Sequence, residues 1–214
     1  MMTRREVDPA ELVDRKATRE VVSHSQIWQG RVFDLDEDRV RVCPEEEPVV
    51  RQYLAHPGAV GIVVLRGEPG AEEILLERQY RHPVGAELWE VPAGLLDIDG
   101  EDHVVAARRE LREETDLEAA RWDVLVDYFT SPGGSSESIR IYLARDIRPA
   151  DSAFPREAEE ADMLETWMDL DRAVDAVFAG HLHNPTTVVG ILAAHRARER
   201  DWEPLRPMDA PWMR

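Results

Sequence analysis

The run Arg109-Glu-Leu-Arg-Glu-Glu-Thr-Asp-Leu117 limits what this chain can be more than any other stretch of it. Val104 to Glu114 carries helical spacing, with Val104, Ala107 and Leu111 on a face that can pack on a sheet. A helix turns by about 100° per residue, so Glu110 and Glu114 stack one turn apart and Glu113 lies beside them. The three carboxylates then share an arc of roughly 100°. Like charges at that spacing repel. Arg109 and Arg112 offset part of the repulsion, and a hard divalent cation offsets it better, because carboxylate oxygens are its preferred ligands. Taken alone, such a helix reads as a solvated face with i,i+4 pairs such as Arg109 with Glu113.

The residues before the helix reverse that reading. Glu87-Leu-Trp-Glu-Val91 has the look of a strand stopped by Pro92, and Gly94-Leu-Leu-Asp-Ile-Asp-Gly-Glu101 follows it. Glycines at 94 and 100 let the backbone turn sharply into the helix and expose carbonyls beside the carboxylates. Other strands are expected at Ala59–Leu65, with Glu73–Arg78 as its hairpin partner, and around Trp122–Phe129 and Ser138–Ala144. Leu170–Ala179 reads as a helix ended by Gly180. Asn184 and Pro185 make an N-cap and first-turn pair for a last helix through about Arg198. Residues 21–42 alternate irregularly and suggest two or three strands of a small antiparallel unit.

Strands, helix, strands, then helices define an α/β or α+β chain. The expected organisation is a small N-terminal antiparallel β unit over residues 1–56, a main domain over 57–206 and a tail over 207–214. The small sheet is too meagre to be stable alone, and packing on a second copy, giving a homodimer, is the expected remedy.

Charge narrows the partners. A formal net charge of −18, from 44 acidic residues against 26 Lys and Arg, opposes nucleic-acid binding, which needs basic surfaces. It also sits awkwardly with a polyanionic substrate unless bound cations invert the local field. Cys43, the one cysteine, excludes an intramolecular disulfide. No apolar signal core follows Met1, and the run Ala59–Leu65 is too short to span a bilayer. A cytoplasmic protein that engages no membrane is expected.

The segment from Gly94 to Leu117 resembles the Nudix box. Its flanks Arg78-Gln-Tyr-Arg81, Glu87-Leu-Trp-Glu-Val-Pro-Ala-Gly94 and Ser131-Pro-Gly-Gly-Ser-Ser-Glu137 resemble the ADP-ribose pyrophosphatase branch of that family. The resemblance implies a Nudix-like α/β/α sandwich with a mixed sheet. It also implies hydrolysis of the diphosphate of a nucleoside-diphosphate sugar with Mg²⁺ or Mn²⁺, ADP-ribose yielding AMP and ribose 5-phosphate. Another nucleotide sugar, such as GDP-mannose or ADP-glucose, or a non-catalytic module that binds ADP-ribose, are the competing readings.

Carried over residue by residue, Glu110 and Glu114 become the principal metal ligands, joined by the Ala93 carbonyl. Glu113 becomes an additional ligand or helper, and Arg109 orients the carboxylates, Glu101 among them. Glu137, in a Gly-Gly-Ser-Ser loop, becomes general base or metal ligand. Arg81 suits phosphate or ribose, since a guanidinium fork matches phosphate oxygens, and Arg51 is a weaker candidate for the same work. Trp28 is a candidate adenine platform, within its own chain or across a dimer, against the alternative of filling a core. Leu95 and Glu90, from the flanking motif, complete the substrate-binding set.

Two departures stand out. The Gly94–Glu101 spacer is one residue longer than the usual box, in a loop where insertion is tolerated. Asp116 replaces the box glycine at the helix end, where a left-handed conformation is expected. The acidic run Glu157 to Asp162 reads as a solvated loop that could border the metal site. His181 and His183 read as loop or cap residues.

Overall fold

Alternation along two central strands builds the core. β4 (Ala59–Arg66) and β9 (Ser138–Pro149) run parallel, pairing Ala59 with Ile139 through Val64 with Ala144. Side chains on a strand point alternately to opposite faces. Val60, Ile62 and Val64 of β4, with Tyr142 and Ala144 of β9, therefore join one core cluster. Val63 and Leu65, with Ile139, Ile141 and Leu143, join the other. Helix α1 (His103–Thr115) covers the first face through Ala106, Ala107 and Leu111. Helices α2 (Leu170–Phe178) and α3 (Pro185–Arg198) cover the second through Leu170, Ala173, Ile191 and Ala194. The result is the helix–sheet–helix sandwich expected from the sequence.

The computed structural model describes residues 6–151 and 163–214. The acidic run Glu157 to Asp162 lies outside the described residues. The main sheet has eight strands in the order β10 (Leu164–Asp169), β5 (Glu73–Arg81), β4, β9, β8 (Leu117–Phe129), β11 (Arg206–Pro207), with β6 (Ala86–Glu90) on β5 and β7 (Ala93–Leu95) on β4. β5 follows β4 as the expected antiparallel neighbour, but the two share only Leu65↔Ile74 and Arg66↔Glu73. β5 then pairs with β6 and β10. The N-terminal half of β4 is thereby left to the three-residue β7. β8 continues directly from α1, and β11 closes the far edge of the sheet. On the second face α3 lies so close to β4 that a Cβ on Gly190 would sit 2.8 Å from Val63 Cγ2. Only glycine permits that approach.

Local signals hold where they were read. The Asn184 side chain accepts the Thr187 N–H at 3.0 Å, with Pro185 in the first turn of α3. Asp116 ends α1 at φ 54°, ψ 28°, its N–H bonding to the Arg112 carbonyl at 3.1 Å. A side chain in this left-handed region carries a steric penalty that glycine escapes. Asp116→Gly is therefore expected to stabilise the protein by about 1 kcal/mol, raising Tm by about 2–4 °C for a chain of this size. Differential scanning calorimetry of the two proteins checks it, and an unchanged or lower Tm refutes the strain at this position.

The tail is docked onto the sandwich. Arg140, 1% exposed, forks onto Asp127 at 2.8 and 2.9 Å and donates to the carbonyls of Ala210 and Pro211. Its guanidinium also lies 5.0 Å from the Trp212 ring centroid.

A separate sheet precedes the sandwich: β1 (Glu20–Gln29), β2 (Asp34–Arg41) and β3 (Val49–Ala55), antiparallel throughout. Every residue of β1 is exposed, among them Val21, Val22, Ile27 and Trp28. The end of β3 meets the main body at a bridge between Leu54 and Ser135. No helix among the described residues is long and apolar enough to cross a membrane, and Cys43 is exposed.

Candidate active site

β7 is a partition. Its residues Ala93, Gly94 and Leu95 line a cleft of about 650 Å³ whose walls also include Arg81, Glu90 and Glu137. The same strand touches the carboxylates of α1. The Ala93 N–H donates to Glu114 Oε2 at 3.0 Å. A Cβ on Gly94 would fall 2.0 Å from Glu110 Cδ and 2.2 Å from its Oε1, so the Glu110 carboxyl rests in the space a side chain would take.

Arg109 organises the acids. Its Nε and Nη2 fork onto Glu101 at 3.1 and 3.0 Å. Its Nη1 reaches Glu110 at 2.7 Å and Glu113 at 3.2 Å. The i,i+4 pair with Glu113 and the gathering of the box acids are thus one arrangement. The charge-assisted hydrogen bond from Arg109 holds the Glu101 carboxyl below the usual carboxylate range. Glu110 moves the other way: burial pushes it up, against the pull of Arg109. Anchored by those acids, the Arg109 guanidinium is pushed up from its ordinary value, with the Glu101 hydrogen bond the largest cause.

The extra residue of the Gly94–Glu101 spacer sits in a turn. Gly100 has φ +77°, and the Glu101 N–H returns to the Ile98 carbonyl at 3.1 Å. Glu101 still reaches Arg109.

Glu137 comes from the β8–β9 loop. Thr130 Oγ1 donates to its Oε2 at 2.7 Å, and His56 Nε2 lies 3.6 Å from its Oε1. Arg81, expected on phosphate, forks onto Glu90 at 2.9 and 2.6 Å; the Arg81 side chain is 42% exposed and that of Glu90 6%. The exposed guanidinium borders the cleft while the buried carboxylate fixes it. Asn184, Pro185 and Thr186, the start of α3, also line the cleft. A helix N-terminus carries partial positive charge that favours phosphate, a local counter to the net charge of −18.

Arg51 and Trp28 lie elsewhere. Trp28 is exposed on β1 and tilts against Phe33, with ring centroids 6.1 Å apart. It lines a surface depression formed with residues 29–33 and fills no core within the chain. Arg51 Nη1 donates to the Val50 carbonyl at 2.9 Å on β3. Neither lines the cleft. Sequence reasoning missed His56, Thr130 and Thr186. The position of Thr130 one residue before the Ser131-Pro motif was the available signal for that residue. For His56 and Thr186 no sequence pattern marked them.

The donor set suits a hard divalent cation. Glu110, Glu113 and Glu114 with the Ala93 carbonyl are oxygen donors only, and Gly94 keeps a cradle open for Glu110. Among the described residues no three acidic or imidazole side chains already converge as a ligand cluster. Arg109 Nη1 stands between Glu110 and Glu113, and Glu114 turns to the Ala93 N–H.

The NUDIX domain model matches residues 55–187. The chain belongs to the Nudix hydrolase family, whose members generally use divalent metal ions. An ADP-ribose pyrophosphatase of Mycobacterium tuberculosis is 40% identical over 194 residues, covering 91% of each chain. A methanol dehydrogenase activator of Bacillus methanolicus is 33% identical over 79% of this chain and 89% of its own. The solved structure of an ADP compounds hydrolase superposes with a TM-score of 0.72 at 18% identity, covering 88% of this chain and 98% of that one. That likeness concerns the fold.

Proposed function

We propose that this protein hydrolyses the diphosphate of a nucleoside-diphosphate sugar, with ADP-ribose the preferred substrate and Mg²⁺ or Mn²⁺ the cofactor. The observation that carries the reading is the clustering of Glu101, Glu110 and Glu113 on Arg109, with Glu114 on the Ala93 N–H, behind a strand that lines a cleft of about 650 Å³. The 40% identical relative bears the name ADP-ribose pyrophosphatase, which supports the choice of sugar.

Glu110, Glu114 and the Ala93 carbonyl would hold the cation, with Glu113 in support. A bound divalent cation neutralises diphosphate charge and polarises a phosphoryl oxygen. Arg81, braced by Glu90, presents its guanidinium to phosphate oxygens. The start of α3 adds its N-terminal dipole. Glu137, steadied by Thr130, accepts the proton of the attacking water. Water adds across one P–O bond of the diphosphate, and ADP-ribose yields AMP and ribose 5-phosphate.

The test is product analysis with ADP-ribose, ADP-glucose and GDP-mannose, each with Mg²⁺, with Mn²⁺ and with chelator. We expect AMP from ADP-ribose with kcat/KM at least about tenfold above the rivals, and no turnover with chelator. A faster rival sugar overturns the substrate choice. Tight binding with no product under any condition overturns the enzyme.

The same reading takes the protein to be a cytoplasmic homodimer. Val21, Val22, Ile27, Val49 and Val50 stand exposed on the N-terminal sheet, and exposed apolar residues, where they gather into a patch, mark an interface. Light scattering coupled to size exclusion is expected to return twice the 24.4 kDa chain mass. A monomer at micromolar concentration refutes it.

A further inference from the structure

We infer that His56 is a positioning residue for Glu137, its Nε2–H steering the carboxylate that takes the proton of water. This rests on the reading of Glu137 as proton acceptor given above.

The tautomer follows from the backbone. The Gly58 N–H donates to His56 Nδ1 at 3.0 Å. Nδ1 is therefore an acceptor, and a neutral imidazole with an acceptor at Nδ1 carries its proton on Nε2. That Nε2 lies 3.6 Å from Glu137 Oε1, and the ring is 10% exposed. The separation is beyond a hydrogen bond, and the oxygen it is measured to is the one that Thr130 does not hold, since Thr130 bonds Oε2. Catalytic hydrogen bonds often stand long without substrate and tighten when it binds.

Ring and carboxylate also share one frame. The His56 N–H donates to Ser136 Oγ at 2.9 Å. The Leu54 N–H reaches the Gly134 carbonyl at 3.0 Å, and the Ser136 N–H returns to the Leu54 carbonyl at 2.9 Å. The end of β3 thus clamps the loop that carries Glu137, and His56 stands on the clamp. A carboxylate gripped at one oxygen still swings about that contact. A donor at the second oxygen fixes the lone pair that must meet the proton.

Two substitutions separate this role from simple space filling. Asn places its amide oxygen near the position of Nδ1, so His56→Asn keeps the acceptor for Gly58 and loses the donor to Glu137. Gln extends its amide nitrogen to the position of Nε2, so His56→Gln keeps the donor. The experiment is steady-state kinetics on the full chain with the fastest sugar of the panel above. It compares wild type, His56→Asn, His56→Gln, Glu137→Gln and the His56→Asn/Glu137→Gln double variant, with Tm measured for each.

We expect His56→Asn to lower kcat about tenfold with KM within about twofold. We expect His56→Gln to recover to within about threefold of wild type, and His56→Asn to cost nothing further once Glu137→Gln is present. An unchanged kcat in His56→Asn, a His56→Gln variant as slow as His56→Asn, or the same loss in both Glu137 backgrounds overturns the proposal. That last outcome, with or without a fall in Tm, marks a structural role only. Wild-type turnover in Glu137→Gln removes the proton-acceptor reading first and this inference with it.

Discussion

Glu114→Gln is expected to lower kcat by about 10³-fold while leaving Tm within about 2 °C of wild type. The separation of the two effects follows from the geometry. Glu114 Oε2 accepts the Ala93 N–H at 3.0 Å, and the carbonyl oxygen of a glutamine accepts the same bond. The tie between α1 and β7 therefore survives the substitution. What is lost is a negative charge among the oxygens proposed to bind the cation. A neutral amide oxygen is a weaker ligand for a hard ion. Glu113→Gln provides the comparison. Its side chain is 38% exposed and hangs from the Arg109 Nη1 that already serves Glu110, so its loss is expected to cost only about tenfold. Single-turnover rates and Mn²⁺ titration of both variants decide the matter. Near-native rates in Glu114→Gln remove the metal assignment, and a Glu113 variant as damaged as the Glu114 one reverses the proposed hierarchy.

The contrast between those two glutamates shows what the sequence could and could not reveal. The shared arc on α1 follows from helical period alone, as does the face bearing Ala107 and Leu111, because both depend on residues within one turn of each other. The buried apolar run of β4 and the Asn184-Pro185 start of α3 were legible for the same local reason. The left-handed Asp116 was legible too, since it stands at the helix end, where such a conformation is common.

β7 could not be read. Three residues carry no period, and Ala93–Leu95 is a strand only because β5 leaves half of β4 unpaired. The parallel pairing of β4 with β9 joins residues some eighty positions apart and leaves no local trace. The fork between Arg81 and Glu90 was hidden likewise. Each side chain read on its own points to substrate, and their mutual bond depends on β5 and β6 lying side by side. His56 is a single polar residue before Pro57, and its significance depends on a loop eighty residues later. Local periodicity marks the shared arc of carboxylates and resemblance marks the box, while the surroundings that tune it come from long-range pairing.

Gly94→Ala tests that surrounding structure most sharply, with an expected loss of about 10²-fold in kcat/KM at little cost to the fold. The added methyl would lie 2.0–2.2 Å from the Cδ, Cγ and Oε1 atoms of Glu110, far inside contact distance, so something must move. Gly94 is not among the glycines with positive φ, and its backbone conformation therefore accepts alanine without strain. The cheaper motion is that of the Glu110 side chain, because it is the flexible partner in the overlap. Swinging away takes Glu110 from the strand whose Ala93 carbonyl is proposed to share its ion, and loosens its 2.7 Å contact with Arg109. The variant should therefore show weakened Mn²⁺ affinity together with slow turnover, and a Tm lowered by no more than a few degrees, for a change of about 1 kcal/mol. Adding Glu110→Asp, which withdraws the carboxyl by one methylene, is expected to restore part of the metal affinity lost in Gly94→Ala. Undiminished activity in the single variant breaks the link between the glycine and the cation. A large fall in Tm without any change in Mn²⁺ affinity places the role of Gly94 in the fold.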